Sequence, residues 1–252
     1  MDYEDNNFLP GLKSLAVSRM PVKWMLCLLL VLCPASFRAQ DISNEFWPEV
    51  DVFLKLNDKS RLFFLYSATK LDNRQTYSDG SFGGHLDFYA VPLLGRRLLP
   101  KHTDPARSKS FMVRVGYLYS RTPSGSSDPF SEHTPTVETH WRFSLPGSLL
   151  LTDRNRVDFR IKDGDYQPRY RNRLKLERTF KMGRLDVTPY AHAEAFYDWN
   201  FSKFHRFRYA AGAEVSLGRY FVLESYYLRQ RDTATSPPHV NAVGAALQFY
   251  WP

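Results

Sequence analysis

The sequence predicts an all-β fold, an antiparallel transmembrane β-barrel of about ten to twelve strands, with short periplasmic turns and longer outer loops. Three observations carry this. From Val50 onward, apolar and polar residues alternate with period two, which places successive side chains on opposite faces of a strand. The connections between alternating stretches are short and long by turns. The last stretch ends Phe249-Tyr250-Trp251-Pro252, an aromatic finish to an apolar-alternating strand.

The strands can be followed in order. Val50, Val52, Leu54 and Leu56 share a face; segments near 61–69 and 85–92 are strand-like but ambiguous in face. Phe111, Val113, Val115, Tyr117 and Tyr119 oppose Arg114 and Ser120. Val137, Thr139, Trp141, Phe143 and Leu145 oppose Glu138, His140 and Arg142. Val157, Phe159 and Ile161 oppose Arg156, Asp158 and Arg160; Tyr170, Leu174 and Leu176 oppose Arg169, Arg171, Arg173, Lys175 and Glu177. Alternation continues through 185–197, 206–217, 220–230 and 243–251. Short connections fall at 57–60, 145–148, 181–184 and 218–219, and long ones at about 70–84, 121–133, 162–167, 198–204 and 231–238. The linker 93–110 falls on the short side despite its length. This gives eleven segments where bacterial barrels have an even number. Twelve is therefore favoured, with an extra short strand near 41–47, and ten is next. Pro189 is the weak point, because proline removes a ladder bond.

Composition sets the compartment. Tyr (15) and Phe (19) dominate the aromatics, and the 24% of charged residues exclude a helical membrane protein. The one long apolar run, Trp24 to Cys33, is too short to span a bilayer as a helix but suits a signal-peptide core. Residues 1–40 are thus expected to be a signal peptide and 41–252 the barrel. Asp2, Glu4 and Asp5 are wrong for a signal n-region, so Met20 is the expected start. Both cysteines, Cys27 and Cys33, lie in the signal core, so the mature chain has neither a disulfide framework nor a cysteine metal site. Trimming residues 1–40 leaves a net charge of +7.

From about 150 to 235 the chain resembles a bacterial family catalogued as domain of unknown function 2490. The residues are Tyr170-Arg171-Asn172-Arg173-Leu174; Thr188-Pro189-Tyr190 with Glu194, Phe196 and Tyr197; Arg206, Arg208 and Gly212; and Tyr226-Tyr227-Leu228-Arg229-Gln230. The resemblance implies an outer-membrane barrel and no particular activity, so it supplies no catalytic residues.

The candidate site is a charged stripe on the inferred inner face: Arg156, Asp158, Arg160, Arg169, Arg171, Arg173, Lys175, Glu177, His192, Glu194, Arg206, Arg208 and Glu214, with Asp186 nearby. Eight of these are basic. Opposed charges across strands stabilise a sheet, and arginine bridges carboxylates in a fork. Two roles are expected: a lumen filled by an ion-pair ladder, or a basic constriction forming a narrow channel for small anions. Trp141, Tyr197, Tyr227, Phe249 and Trp251 are expected at the membrane interfaces. The expected partners are outer-membrane lipid and, through the C-terminal strand, the barrel-assembly machinery.

Other chemistry has less behind it. A lipid-modifying hydrolase would need a serine beside His140 or His192; Ser144 is on the same strand as His140, but no serine motif stands out. The histidines lack metal spacing, and no cofactor is expected. Basic and aromatic residues at 204–209 fall on opposite faces, so a nucleic-acid stacking platform is not expected. A soluble secreted barrel binding a small ligand is the other alternative.

Overall fold

The computed structural model describes residues 42–71, 77–92, 103–124, 128–234 and 236–252. The expected signal segment, Met20 and both cysteines lie outside these residues, as does most of the 93–110 linker. In chain order the strands are β1 (Ile42–Asn57), β2 (Ser60–Leu71), β3 (Tyr77–Pro92), β4 (Lys109–Arg121), β5 (Ser131–Leu145), β6 (Leu149–Asp158), β7 (Ile161–Lys162), β8 (Asp165–Tyr166), β9 (Arg169–Arg178), β10 (Phe180–Met182), β11 (Leu185–Asp198), β12 (Lys203–Leu217), β13 (Phe221–Asp232) and β14 (His239–Trp251).

Eleven of these form a closed wall in the order β4-β3-β2-β1-β14-β13-β12-β11-β9-β6-β5, and β5 pairs again with β4. The fold class is as expected, and the wall contains the eleven segments counted from alternation. Among the described residues there is no twelfth wall strand: in the stretch near 41–47, residues 42–47 are the first part of β1, which runs on through Pro48. Every wall pairing is antiparallel except one. β1 and β14 run parallel, from Ile42 opposite His239 to Leu54 opposite Trp251. An odd strand number makes this unavoidable, since the first and last strands of an up-and-down chain then point the same way.

The stagger can be read from the register. Starting at Asn57 and stepping to each partner in register leads through Ser60, Phe88, Val113, Thr139, Asn155, Asn172, Ala195, Phe207, Arg231 and His239 to Ile42. One circuit therefore climbs β1 by fifteen residues. With ordinary strand rise and spacing this means a tilt of about 43° and a backbone radius of about 12 Å.

Turn chemistry fixes the hairpins. The Asn57 side chain accepts a hydrogen bond from the Lys59 N–H at 2.8 Å and tightens the first one. On the opposite rim, Asp163 (φ +51°) and Gly164 (φ +92°) make the left-handed pair that a two-residue hairpin requires between β7 and β8. Pro189 lies one residue before Tyr190, the first β11 residue paired with β9, so its missing N–H breaks no bond of that ladder.

The outer face is apolar and exposed: Val50, Tyr66, Phe82, Val137, Leu174, Val243 and Leu247 all stand open. The inner face carries most of the buried polar residues and only small apolar clusters. Near the short-turn end, Phe53 stacks between Phe63 and Tyr250 with 4.6 Å between ring centroids on each side. Tyr226 packs into the gap left by two glycines on its neighbours: a Cβ on Gly244 would lie 2.0 Å from its ring, and one on Gly212 would lie 2.6 Å from its Cβ.

Candidate functional site

The interior is built from the inward positions of the wall strands. Because partners in register share a face, Arg114 of β4 stands beside Glu138 of β5, and Glu138 beside Arg156 of β6. Arg156 stands beside Arg171 of β9, Arg173 beside Glu194 of β11, and Glu194 beside Arg208 of β12.

Glu194 is the hub. It is 2% exposed and accepts from three arginines: Arg171 at 2.8 Å, and Arg154 and Arg173 at 3.0 Å. Asp158, fully buried, takes Arg169 at 2.8 Å and Arg156. Glu138 takes Arg156 and the His140 ring at 3.1 Å each. Lys175 bridges Glu177 at 2.9 Å and Glu214 at 2.6 Å. Higher up, Arg160 pairs with Glu132 at 2.6 Å and Arg206 with Asp232 at 2.7 Å. The Phe196 ring sits among four guanidinium groups, those of Arg169, Arg171, Arg206 and Arg208, at 4.8 to 5.7 Å. Cations over an aromatic face gain from its quadrupole where water is excluded.

All thirteen residues expected in the stripe lie on inward positions of the wall or on the adjoining β6–β7 segment. Seven of the eight cations reach a carboxylate at 2.6 to 3.1 Å. The eighth, Arg208, donates to Gln230 at 2.6 Å and covers the Trp47 and Phe196 rings. The His192 ring stacks parallel to Tyr190. His140 and Ser144 share the inner face of β5, with His140 bound to Glu138. Of the expected interface aromatics, Trp141, Phe249 and Trp251 lie toward the short-turn ends of their strands and Tyr197 toward the long-loop end, whereas Tyr227 sits in the middle of β13.

Sequence reasoning missed part of the network. Asp87, fully buried on β3, holds Arg61 at 2.7 Å and Arg114 at 2.6 Å. Glu132, Glu138, Asp232 and Arg154 were also outside the predicted set. Glu132, Glu138 and Asp232 take Arg160, Arg156 and Arg206 of the stripe, while Arg154 adds a further cation on β6. The signal was available for Glu138, which alternation places opposite Val137 and Thr139.

The 93–110 linker contributes the other feature. Residues Pro105–Ser108 form a single 3-10 turn, capped by Asp104, whose side chain accepts from the Ala106 N–H at 2.9 Å. Ala106 is fully buried. Asp104 pairs with Arg61 at 2.7 Å. Arg107 reaches Glu177 on β9, and Glu214 on β12 at 3.2 Å, on the far wall. The segment therefore crosses the interior near the short-turn mouth. Burial works against the Arg107 cation, but the Glu177 and Glu214 carboxylates more than offset it and hold its pKa above the ordinary arginine value.

Fold and interior define a closed β-barrel with a charged, ion-paired lumen. The chain belongs to the family described as protein of unknown function (DUF2490), whose sequence profile matches residues 103–241. Among solved structures it is similar to the beta domain of the Bordetella autotransporter BrkA, at 15% identity and a TM-score of 0.38, over 74% of this chain and 81% of that one. No curated protein matches it.

Proposed function

We propose that this protein is a bacterial outer-membrane barrel whose lumen is a closed, ion-paired structural core rather than a diffusion pore. The observation that carries this is the pairing of the inner cations, together with the 103–108 segment latched across the short-turn mouth by Arg107 and Asp104. A basic constriction for small anions needs unpaired cations facing open water, and the pairing works against that. Membrane placement is supported by the exposed apolar outer face, since soluble monomers seldom expose contiguous apolar patches larger than a few hundred Å². In this reading Trp141, Phe249 and Trp251 mark one interface and Tyr197 the other. The short turns face the periplasm, and the terminal strand is the element the assembly machinery reads. No catalytic role is assigned.

The test is fractionation followed by reconstitution. The protein is expected to partition with the outer membrane, to run as a heat-modifiable band, and to give almost no conductance in planar bilayers. Recovery in the soluble periplasm would overturn the membrane reading. Steady anion conductance would replace the closed core with the channel, and lipid hydrolysis lost on changing His140 or His192 would replace it with an enzyme.

A further inference from the structure

The outer face changes character with height. Most of it is apolar, but four cations point outward near the long-loop rim: Lys70 on β2, Arg121 on β4, and Arg229 and Arg231 on β13. The register sets their direction. Arg229 stands between Tyr209 and Asn241, and Arg231 between Phe207 and His239, while their neighbours Leu228 and Gln230 are buried inside. Arg121 stands beside Gly80, one residue on from the inward pair Ser120 and Ser81, and Lys70 stands beside Phe46.

Their height follows from the tilt. One step round the wall climbs about 3 Å, and one residue along a strand climbs about 2.5 Å. From Ala195, two residues up β11 lead to Tyr197, and two steps round, through Phe207, lead to Arg231. Arg231 is therefore level with Tyr197, the aromatic at the long-loop interface. The same count brings Lys70, Arg121 and Arg229 within about 5 Å of that level. No carboxylate offsets them on this face. Among the described wall residues, the one carboxylate facing outward is Asp153, beside Trp141 and toward the other interface.

The cations are closest together on β13, where Arg229 and Arg231 share a face about 7 Å apart. Asn241 and Asn44 continue the Arg229 row, and the Asn241 side-chain amide donates to Asn44 at 3.5 Å. In the row beneath, Tyr227, Val243 and Phe46 stand side by side, all exposed.

We propose that this patch, centred on Arg229 and Arg231, holds the phosphate headgroup of an anionic lipid in the leaflet on the long-loop side. Charge and height select the occupant. A guanidinium fork fits phosphate oxygens in a way that a single point charge does not. A free anion would use only the upper row. A lipid uses both, with its phosphate on the arginines and asparagines and its chains on the aromatic and aliphatic row below.

This inference rests on the membrane reading, and the experiment keeps the two apart. The full chain is refolded into phosphatidylcholine bilayers carrying a trace of chain-spin-labelled lipid, and the label immobilised by the protein is measured by electron paramagnetic resonance. Labelled phosphatidic acid is expected to associate about fivefold more strongly than labelled phosphatidylcholine with the same chains, the size of one interfacial cation's attraction. Arg229→Gln with Arg231→Gln should erase the preference while the heat-modifiable band is retained; Arg231→Gln alone, at the exposed position, serves if the pair does not fold. Arg229→Lys with Arg231→Lys should keep most of it, and Arg178→Gln at the short-turn rim should leave it unchanged. Replacing chloride by inorganic phosphate at equal ionic strength should not reduce it. A folded parent with no preference, a preference that survives the glutamine variants, or one that inorganic phosphate removes overturns the proposal. A chain that does not enter bilayers at all overturns the reading beneath it, and this proposal with it.

Discussion

Glu194→Gln removes one negative charge from the centre of the lumen while keeping the shape of the side chain. Three arginines, Arg154, Arg171 and Arg173, lose their shared carboxylate at 2.8 to 3.0 Å, and the site is 2% exposed. The surroundings decide the magnitude. Removing one partner of a buried ion pair costs about 3–5 kcal/mol, because the remaining charge is stranded. The same change in a water-filled lumen costs about 0–1 kcal/mol, because solvent takes over. The assay is urea titration of refolded protein in detergent, following the heat-modifiable band. For a loss near 4 kcal/mol and a urea slope of roughly 2 kcal/mol per molar, the midpoint should fall by roughly 2 M. Adding Arg173→Gln should recover part of the loss by removing one stranded cation. A midpoint unchanged within error would refute the closed core, since it would mean that water already screens these pairs.

Three further outcomes are expected. Arg107→Ala should release the 103–108 segment from Glu177 and Glu214 and raise single-channel conductance above the near-zero parent level; an unchanged silent barrel would show that the segment is not what shuts the mouth. Arg171→Glu combined with Arg173→Glu places like charges around Glu194 and should abolish the folded, heat-modifiable band, whereas a folded barrel with reversed ion selectivity would argue for an open lumen. Gly244→Ala puts a methyl 2.0 Å from the Tyr226 ring and should cost about 1–3 kcal/mol in the same urea assay, with Tyr226→Ala added to it relieving the clash.

Much of the wall was legible because its two faces carry different residue types, apolar outside and mostly polar or charged inside. Alternation gave a face to nine of the eleven wall strands, and the inward arginines of β9 were readable from the single stretch 169–177. What stayed hidden depended on partners far apart in sequence. Asp87 pairs with Arg61 and Arg114 at separations of 26 and 27 residues, and nothing local announces that. In 85–92 an extra residue between Tyr89 and Val91 disturbs the period, and in 61–69 Phe63 and Leu65 alternate with Leu62, Phe64 and Tyr66, so both faces read as apolar. The parity of the barrel was misjudged through a general rule rather than through these residues: 42–57 reads as one continuous strand once Pro48 is allowed within it. The 93–110 linker stood out only by its length, because its function lies in where Arg107 ends up, on strands β9 and β12.

The parallel seam between β1 and β14 makes the barrel directional as a thread. A hairpin-built barrel with an even count returns its chain to the side from which it came. Here Ile42 stands on the rim of the long loops and Trp251 on the rim of the short turns. In a bilayer, a label fused just ahead of Ile42 and another after Trp251 would report from opposite compartments. An antibody or protease added outside intact cells would then meet the first and miss the second.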